Sequence, residues 1–274
     1  MSKNILITGS SSGLGKAAAK LFQARGWNVA ATMRRPENES ELNQLEDVQL
    51  FRLDVTDEES LASAVAGTLE SFGGIDVLFN NAGYGLAGPF EAATKAQIRR
   101  QFDTNLFGMF DVTREVLPHF RAKRDGLIIN VTSIGGLVTM PFFSLYHGTK
   151  WAIEGWTESL TFELNPLNIR VKLVEPGGIK TDFAGRSLDL AQNPDITDYN
   201  ESLMQFMKIV RAPGRADNYS SAEQIAEVVY TAATDGTNQL RYVAGSDAQQ
   251  MWAGRQQMGD QAFIGMMKQN FGLG

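Results

Sequence analysis

The stretch Asn4-Ile5-Leu6-Ile7-Thr8-Gly9-Ser10-Ser11-Ser12-Gly13-Leu14-Gly15 decides the fold. A short apolar run meets a turn crowded with glycine and serine, and a helical pattern opens directly after it. In that pattern Leu14, Ala17, Ala18, Leu21 and Phe22 fall at i, i+3, i+4, i+7 and i+8, the stripe of a helix packed on a sheet. Glycines in such a strand-to-helix turn bring backbone amides close to a ligand, and the helix N-terminus attracts an anionic pyrophosphate. Gly9, Ser11, Ser12, Gly13, Leu14 and Gly15 are therefore the expected cradle of a dinucleotide. On the loop alone, a tight connection that binds nothing stays open. A Walker-type loop does not fit: Gly9 lies one residue too far from Gly15-Lys16, and Ala17 stands where Mg²⁺ needs a hydroxyl.

Outward from this unit, β-rich runs alternate with helical periodicity along most of the chain. After Asn4–Thr8 the candidate strands are Asn28–Met33, Val48–Asp54, Ile75–Asn80, Gly126–Val131, Ile169–Glu175 and Leu240–Ala244. Their apolar continuity suits strands buried on both sides, so the expected class is α/β, a parallel sheet with helices on both faces. Thr56-x-x-Glu59 and Thr94-x-x-Gln97 each read as a capping box that opens a helix. No Pro-rich or Gly/Ser-rich linker and no repeat divides residues 1–274, and one domain is expected. Within it, regularity weakens over about 182–219, which reads as a substrate loop or an irregular surface connection. The stretch 249–274 carries Met251, Trp252, Met258, Phe263, Met266, Met267 and Phe271, a stripe that reads first as core packing and second as a lid or subunit contact.

Composition narrows the chemistry. The 274 residues hold 25 Lys and Arg against 31 Asp and Glu, a net charge of −6, with no Cys and only two His, His119 and His147. A thiol nucleophile, a zinc ribbon and a multi-histidine metal site are excluded, and no metal is expected. Proton handling must fall to carboxylates, Tyr, Lys or Ser. The acidic balance argues against a nucleic-acid partner, since phosphate affinity rests on clustered basic residues. Nowhere do 18 consecutive apolar residues occur, and the N-terminus does not read as a signal peptide; a cytoplasmic protein without a membrane partner is expected.

An NAD site places an acidic residue at the end of the second strand, where it bonds the ribose 2′-hydroxyl. That place is taken here by Met33, Arg34 and Arg35. Two guanidinium groups suit a 2′-phosphate, so NADP (NADPH) is favoured over NAD; an exposed Arg pair bridged to Glu37 or Glu39 is the bland alternative.

The loop has the form T-G-x-x-x-G-x-G, and further motifs follow in order: Asn80-Asn81-Ala82-Gly83 after the fourth strand, Asn105 in a helix, Ser133 after the fifth strand, Tyr146-x-x-x-Lys150, and Pro176-Gly177 after the sixth. In these motifs, which span Asn4 to Thr181, the chain resembles the short-chain dehydrogenase/reductase family. The resemblance implies a single doubly wound Rossmann-like domain with a mostly parallel seven-stranded sheet, and hydride transfer between a nicotinamide and a carbonyl or alcohol. It assigns Asn105, Ser133, Tyr146 and Lys150 to catalysis, with Lys150 also on the nicotinamide ribose and Asn105 holding a water. It assigns Asp54, Val55, Asn81, Ala82, Gly83, Pro176, Gly177, Ile179 and Thr181 to the cofactor, with Asn80 beside it. A homo-oligomer, dimer or tetramer, with contacts along the helix Tyr146–Leu164 is also implied. Two departures stand out: His147-Gly148-Thr149 fills the interval where the family places small residues, and Thr132-Ser133 replaces a common Ser-Ser.

The residue types suit the reaction. Tyr146 and Lys150, four apart, share a helix face. A free tyrosine titrates near 10, too high for efficient work at neutrality, and a neighbouring ammonium is expected to lower it. Tyr146 then protonates a carbonyl oxygen or accepts an alcohol proton, while the Ser133 hydroxyl bonds that oxygen as charge develops. Nothing like G-x-S-x-G surrounds Ser133, which argues against a serine hydrolase. Met140, Phe142 and Phe143 are expected to shape a pocket for an apolar or aromatic compound. Two further readings stay open: a dinucleotide-binding regulatory protein without turnover, and a relative that epimerises or dehydrates.

Overall fold

The computed structural model describes residues 2–180, 187–212 and 214–273. The chain begins with β1 (Asn4–Ile7), α1 (Gly13–Ala24), β2 (Asn28–Met33), β3 (Val48–Arg52), α2 (Glu58–Phe72) and β4 (Val77–Asn80). It continues with β5 (Gly85–Ala87), α3 (Lys95–Phe102), α4 (Gly108–Lys123), β6 (Gly126–Val131), α5 (Ser144–Leu164), β7 (Ile169–Pro176) and β8 (Ile179–Lys180). It ends with β9 (Leu188–Leu190), α6 (Asn200–Val210), β10 (Ser220–Ser221), α7 (Ala222–Thr234), β11 (Arg241–Ala244), α8 (Ser246–Met258) and α9 (Asp260–Asn270).

Seven of these strands form one sheet in the order β11-β7-β6-β4-β1-β2-β3, with every pairing parallel. From β1 the chain steps outward to β2 and β3, then returns to the other side for β4, β6, β7 and β11. The place where direction reverses, between β1 and β4, is the crevice in which open α/β sheets hold ligands. All seven expected strands are present, most of them within two residues of their expected ends. Register brings their carboxyl ends level: Ile7 lies opposite Ala31 and Phe79, Val131 opposite Val174, and Pro176 opposite Ala244.

Alternation along each strand feeds two cores. Ile5, Ile7, Val29 and Ala31 pack with Phe22 of α1 and Ile225 and Val229 of α7. Leu6, Ala30, Leu78 and Ile128 turn the other way, onto Leu61 of α2, Val112 and Val116 of α4, and Leu160 of α5. A strand with both faces covered has no polar positions to spare, hence the unbroken apolar runs in the sequence.

The capping box at Thr94 and Gln97 forms as expected. The one expected at Thr56 does not: Asp57 caps α2, accepting from Ser60 N at 3.2 Å, and the Thr56 hydroxyl instead donates to Asp54. Asp is at least as good an N-cap as Thr, so the helix starts one residue later. Of the irregular segment, the described part contains β9, which pairs with β5, and the amphipathic α6. The C-terminal stripe is core: Phe263, Met267 and Phe271 bury against Phe206 of α6 and against Ile134, Leu137 and Val138, while Met258 is exposed. Among the described residues no helix is long and apolar enough to cross a membrane.

Candidate active site

The glycine loop is bolted to the end of β4. Asn81 Nδ2 donates to the carbonyls of Thr8 and Gly9 at 2.9 and 3.2 Å, and the Thr8 hydroxyl accepts from the Asn81 and Ala82 amides at 2.9 and 3.0 Å. Gly9 has φ +73°, and a Cβ there would stand 2.9 Å from the Ala82 backbone, so no other residue fits this turn without displacement. Gly15 in the first turn of α1 is packed as tightly against Gly9 and Asn81. That first turn holds no acidic residue, which keeps the positive end of the helix free for an anion. Asn80, expected beside the cofactor, turns inward: its Nδ2 bonds Thr113 and Asn130 within the sheet layer at 2.9 and 3.0 Å.

At the end of β2, Met33 is buried while Arg34 and Arg35 are exposed, with no ion-pair partner among the described residues. The alternative pairing with Glu39 is not made. Glu39 is buried, accepts from the amides of Glu41 and Leu42 at 2.9 and 3.0 Å, and meets Lys16 at 3.1 Å. Asp54, beyond β3, accepts from the Thr56 amide at 3.0 Å in a local turn, with the apolar Val55 buried next to it.

Ser133, Tyr146 and Lys150 come together at the ends of β6 and α5. Ser133 caps a single 3₁₀ turn, Ile134–Gly136, where Gly135 N donates to its hydroxyl oxygen at 3.0 Å. The Lys150 ammonium is 6 % exposed, lies 5.7 Å from the centre of the Tyr146 ring and donates to Val131 O at 3.0 Å. Burial pushes Lys150 down to about 8, opposed by the charge of Glu154. Tyr146 differs from expectation: burial of the phenol raises it above the ordinary tyrosine value, and the Ser133 hydroxyl lowers it only in part. Desolvation of the phenolate outweighs its neighbours in the cofactor-free protein.

Asn105 lies within the expected helical stretch, in a π-helical turn, Asp103–Phe107, between α3 and α4. Such turns insert one residue and often mark functional sites. Its carboxamide is 1 % exposed and clamps Tyr84 from both ends: Oδ1 accepts from Tyr84 N at 3.0 Å, and Nδ2 donates to Tyr84 O at 2.8 Å. Gly83 passes directly beneath, where a Cβ would stand 3.2 Å from Asn105 Oδ1.

After β7, Gly177 N donates to Ala244 O at 2.9 Å, and Ile179 enters β8, which pairs with β10. Both therefore follow the carboxyl end of a central strand, next to Pro176. Thr181 lies outside the described residues.

His147 is buried and both its ring nitrogens are engaged. Met140 N donates to Nε2 at 2.9 Å, which requires that nitrogen unprotonated, so Nδ1 donates to Gly135 O at 2.8 Å. Burial lowers its pKa, in keeping with a neutral ring. The ring ties α5 to the turn that carries Ser133 and to the segment Met140–Phe143. This tie, like the Asn105–Tyr84 clamp, was not foreseen; the unusual residue type between Tyr146 and Lys150 was its only signal. The Phe142 and Phe143 rings meet Phe206 tilted and edge-on, with centroids 5.4 and 6.2 Å away, and Phe143 lies 6.1 Å from Tyr146. Phe142 itself has φ +61°, and its carbonyl accepts from Gly88 N at 2.7 Å. A left-handed conformation at a bulky residue stores strain, which gathers at functional sites.

Residues 3–190 match the family model described as short chain dehydrogenase. A 3-ketodihydrosphingosine reductase of Bacteroides thetaiotaomicron is 37% identical over 211 residues, covering 77% of this chain and 77% of that protein. Among solved structures, a short-chain dehydrogenase from Streptomyces avermitilis superposes with a TM-score of 0.80 at 32% identity, covering 93% of this chain and 92% of that one. ElxO with NADP bound superposes with a TM-score of 0.72 at 28% identity, covering 88% of this chain and 97% of that one.

Proposed function

The chain belongs to the short-chain dehydrogenase family, and from that premise we propose that it is an NADP(H)-dependent oxidoreductase acting on an apolar or aromatic carbonyl compound or the corresponding alcohol. The observation that carries this reading is the convergence of Ser133, Tyr146 and Lys150 at the carboxyl ends of the strands, where open α/β sheets bind ligands.

The described residues fit the cofactor. Gly9 and Gly15 let the turn pack against Ala82 and Asn81 where a Cβ would collide, the first turn of α1 offers amides without a competing carboxylate, and Arg34 and Arg35 have no ion-pair partner among the described residues, which suits a 2′-phosphate. Gly13, Leu14, Asp54, Val55, Ala82, Gly83, Gly177 and Ile179 complete the proposed lining, with Thr181 proposed beside them. When bound, the nicotinamide supplies the hydride or takes it up. The chain's own residues manage the proton. Tyr146 Oη gives a proton to the carbonyl oxygen in reduction or accepts one from the alcohol in oxidation, and Ser133 Oγ donates a hydrogen bond to the same oxygen. Lys150, as an ammonium, favours the phenolate once the proton has left. Asn105 is proposed as the water-holding member; with its carboxamide committed to Tyr84, it also fixes the backbone on which Gly83 lies.

The aromatic wall of Phe142, Phe143 and Phe206 supports an apolar substrate, in keeping with a relative named as a 3-ketodihydrosphingosine reductase. Trp151 and Phe162 stand exposed on α5, and on this reading they meet a second copy of the chain. The function is tested by following NADPH absorbance with a panel of aliphatic and aryl ketones and aldehydes. Consumption with at least one apolar member is expected. Tight NADPH binding without consumption across the panel favours a regulatory protein.

A further inference from the structure

One turn beyond Lys150 on α5 stands Glu154, a buried carboxyl group for which the proposed reaction has no use. Its side chain reaches under the Ser133 turn. Thr132 Oγ1 donates to Glu154 Oε1, and Arg241 Nη1 donates to Oε2. Gly136 leaves the room, since a Cβ there would stand 2.9 Å from Glu154 Cγ. Two consecutive residues at the end of β6 thus hold opposite charges: the Val131 carbonyl takes the Lys150 ammonium at 3.0 Å, and the Thr132 hydroxyl takes the Glu154 carboxylate.

A second carboxyl group faces the first. Glu175 of β7 is 0 % exposed, accepts from Arg241 Nη1 at 3.1 Å, and leaves its Oε2 without a hydrogen-bond partner. Arg241 of β11 also donates to Glu158 at 2.7 Å, so one guanidinium serves three carboxyl groups, two of them buried. Two adjacent buried carboxyls do not both ionise, because each charge is poorly solvated and repels the other. Burial first and the charge of Glu154 second push Glu175 up to about 8, so Glu175 holds the proton at neutrality. That proton gives Oε2 the donor role it otherwise lacks, towards Glu154. The charge then rests on Glu154, which has two donors of its own. Among the described residues the charged groups around Glu154 are Lys150 and Glu158 on α5, Glu175 on β7 and Arg241 on β11, with Arg255 and Asp260 lining the same cavity. A cavity of about 560 Å³, lined by Trp151, Glu154, Arg241, Trp252, Arg255 and Asp260 among others, opens this cluster to solvent, away from Tyr146.

We propose that Glu154 is a positioning residue for the reaction assigned above: its carboxylate, held by Thr132 and Arg241 one helical turn beyond Lys150, keeps Lys150 an ammonium beside Tyr146. Glu154 touches neither substrate nor cofactor and acts through Lys150. The inference rests on the oxidoreductase reading for its purpose, but its physical content is measurable without turnover.

The test is the titration of Lys150 in the cofactor-free protein, read by NMR of lysine labelled with carbon-13 at Cε and assigned by loss of its signal in Lys150→Met. In Glu154→Gln the midpoint falls by about one pH unit, a roughly tenfold loss of proton affinity, because an attractive buried charge is removed. Glu154→Asp recovers most of the wild-type midpoint. Thr132→Val, which removes only the hydroxyl that orients the carboxylate, shifts it part of the way and carries the test if Glu154→Gln does not fold. Wild-type midpoints in the folded variants would overturn the proposal. Absence of turnover with every ketone and aldehyde leaves this titration untouched and overturns the oxidoreductase reading alone.

Discussion

At the carboxyl ends of β1, β2 and β4 the chain builds the proposed ligand cradle from glycines, a serine-rich turn and main-chain amides, whereas the wall beyond Tyr146 is made of large aromatic side chains from three distant stretches. Gly9 and Ala82 meet because two neighbouring strands end level, and the Thr8 and Asn81 side chains lock the contact. Phe142, Phe206 and Phe271 meet only once residues far apart in the chain have folded together. A cradle of backbone amides is set by the level strand ends of the sheet. An aromatic wall is set by packing, and can change its shape without disturbing the cradle.

If the two regions are independent in this sense, substitutions should separate them. The largest separation is expected from Tyr146→Phe, which removes the proton donor and leaves the glycine loop intact: kcat falls by about 10³-fold or more while NADPH affinity, measured by fluorescence titration, stays within about twofold. Phe206→Ala acts on the wall. Loss of a fully buried ring that stacks on Phe142, Phe143 and Phe271 is expected to cost about 3–5 kcal/mol in chemical denaturation, with NADPH affinity of the folded protein unchanged. A large drop in cofactor affinity in that variant would show that wall and cradle are coupled.

The reverse experiment is Arg34→Asp, on an exposed residue of the cradle side. The ratio of NADPH to NADH efficiency is expected to fall by roughly 10- to 100-fold, as a charge-assisted hydrogen bond becomes a repulsion, with the denaturation midpoint unmoved. An unchanged ratio would place the phosphate site elsewhere.

The smallest effect concerns the buried carboxyls beneath the catalytic turn. Glu175 titrates near 8 in the folded chain against an ordinary 4.5, so between these values the folded state binds more protons than the unfolded one. Its contribution to stability is fully present below 4.5 and is lost as pH rises through 8. Glu175→Gln removes that loss, and its melting temperature should fall between pH 5 and pH 8 by several degrees less than that of the wild type. Parallel melting curves would show that Glu175 is ionised throughout.

The same contrast explains what could be read in the sequence. The strands, the glycine loop and the grouping of Ser133, Tyr146 and Lys150 were legible because each is a local pattern: a buried run, a turn at the end of a strand, or two residues one helical turn apart. Asn105 was legible as a residue but not as a clamp, since its π-turn depends on how α3 and α4 meet and on the approach of Tyr84. The depressed tyrosine was expected from charge alone; burial, which no local pattern reports, moved it the other way. Glu154 continues the four-residue spacing of Tyr146 and Lys150, yet its use depends on Arg241 and Glu175, on strands formed much later in the chain. Arg34 and Arg35 were legible as a basic pair, and only the fold shows that Glu39 is engaged elsewhere and that they have no ion-pair partner among the described residues.

The central claim is that hydride moves between a nicotinamide and a substrate carbon in the crevice above Ser133 and Tyr146. It is tested most directly by supplying NADPH deuterated at one face of nicotinamide C4 together with a ketone that the protein reduces, and locating the label in the alcohol by mass spectrometry. One deuterium on the carbinol carbon, delivered from one C4 face and absent from the other, is the predicted result. Alcohol formed without label from either face would contradict the account.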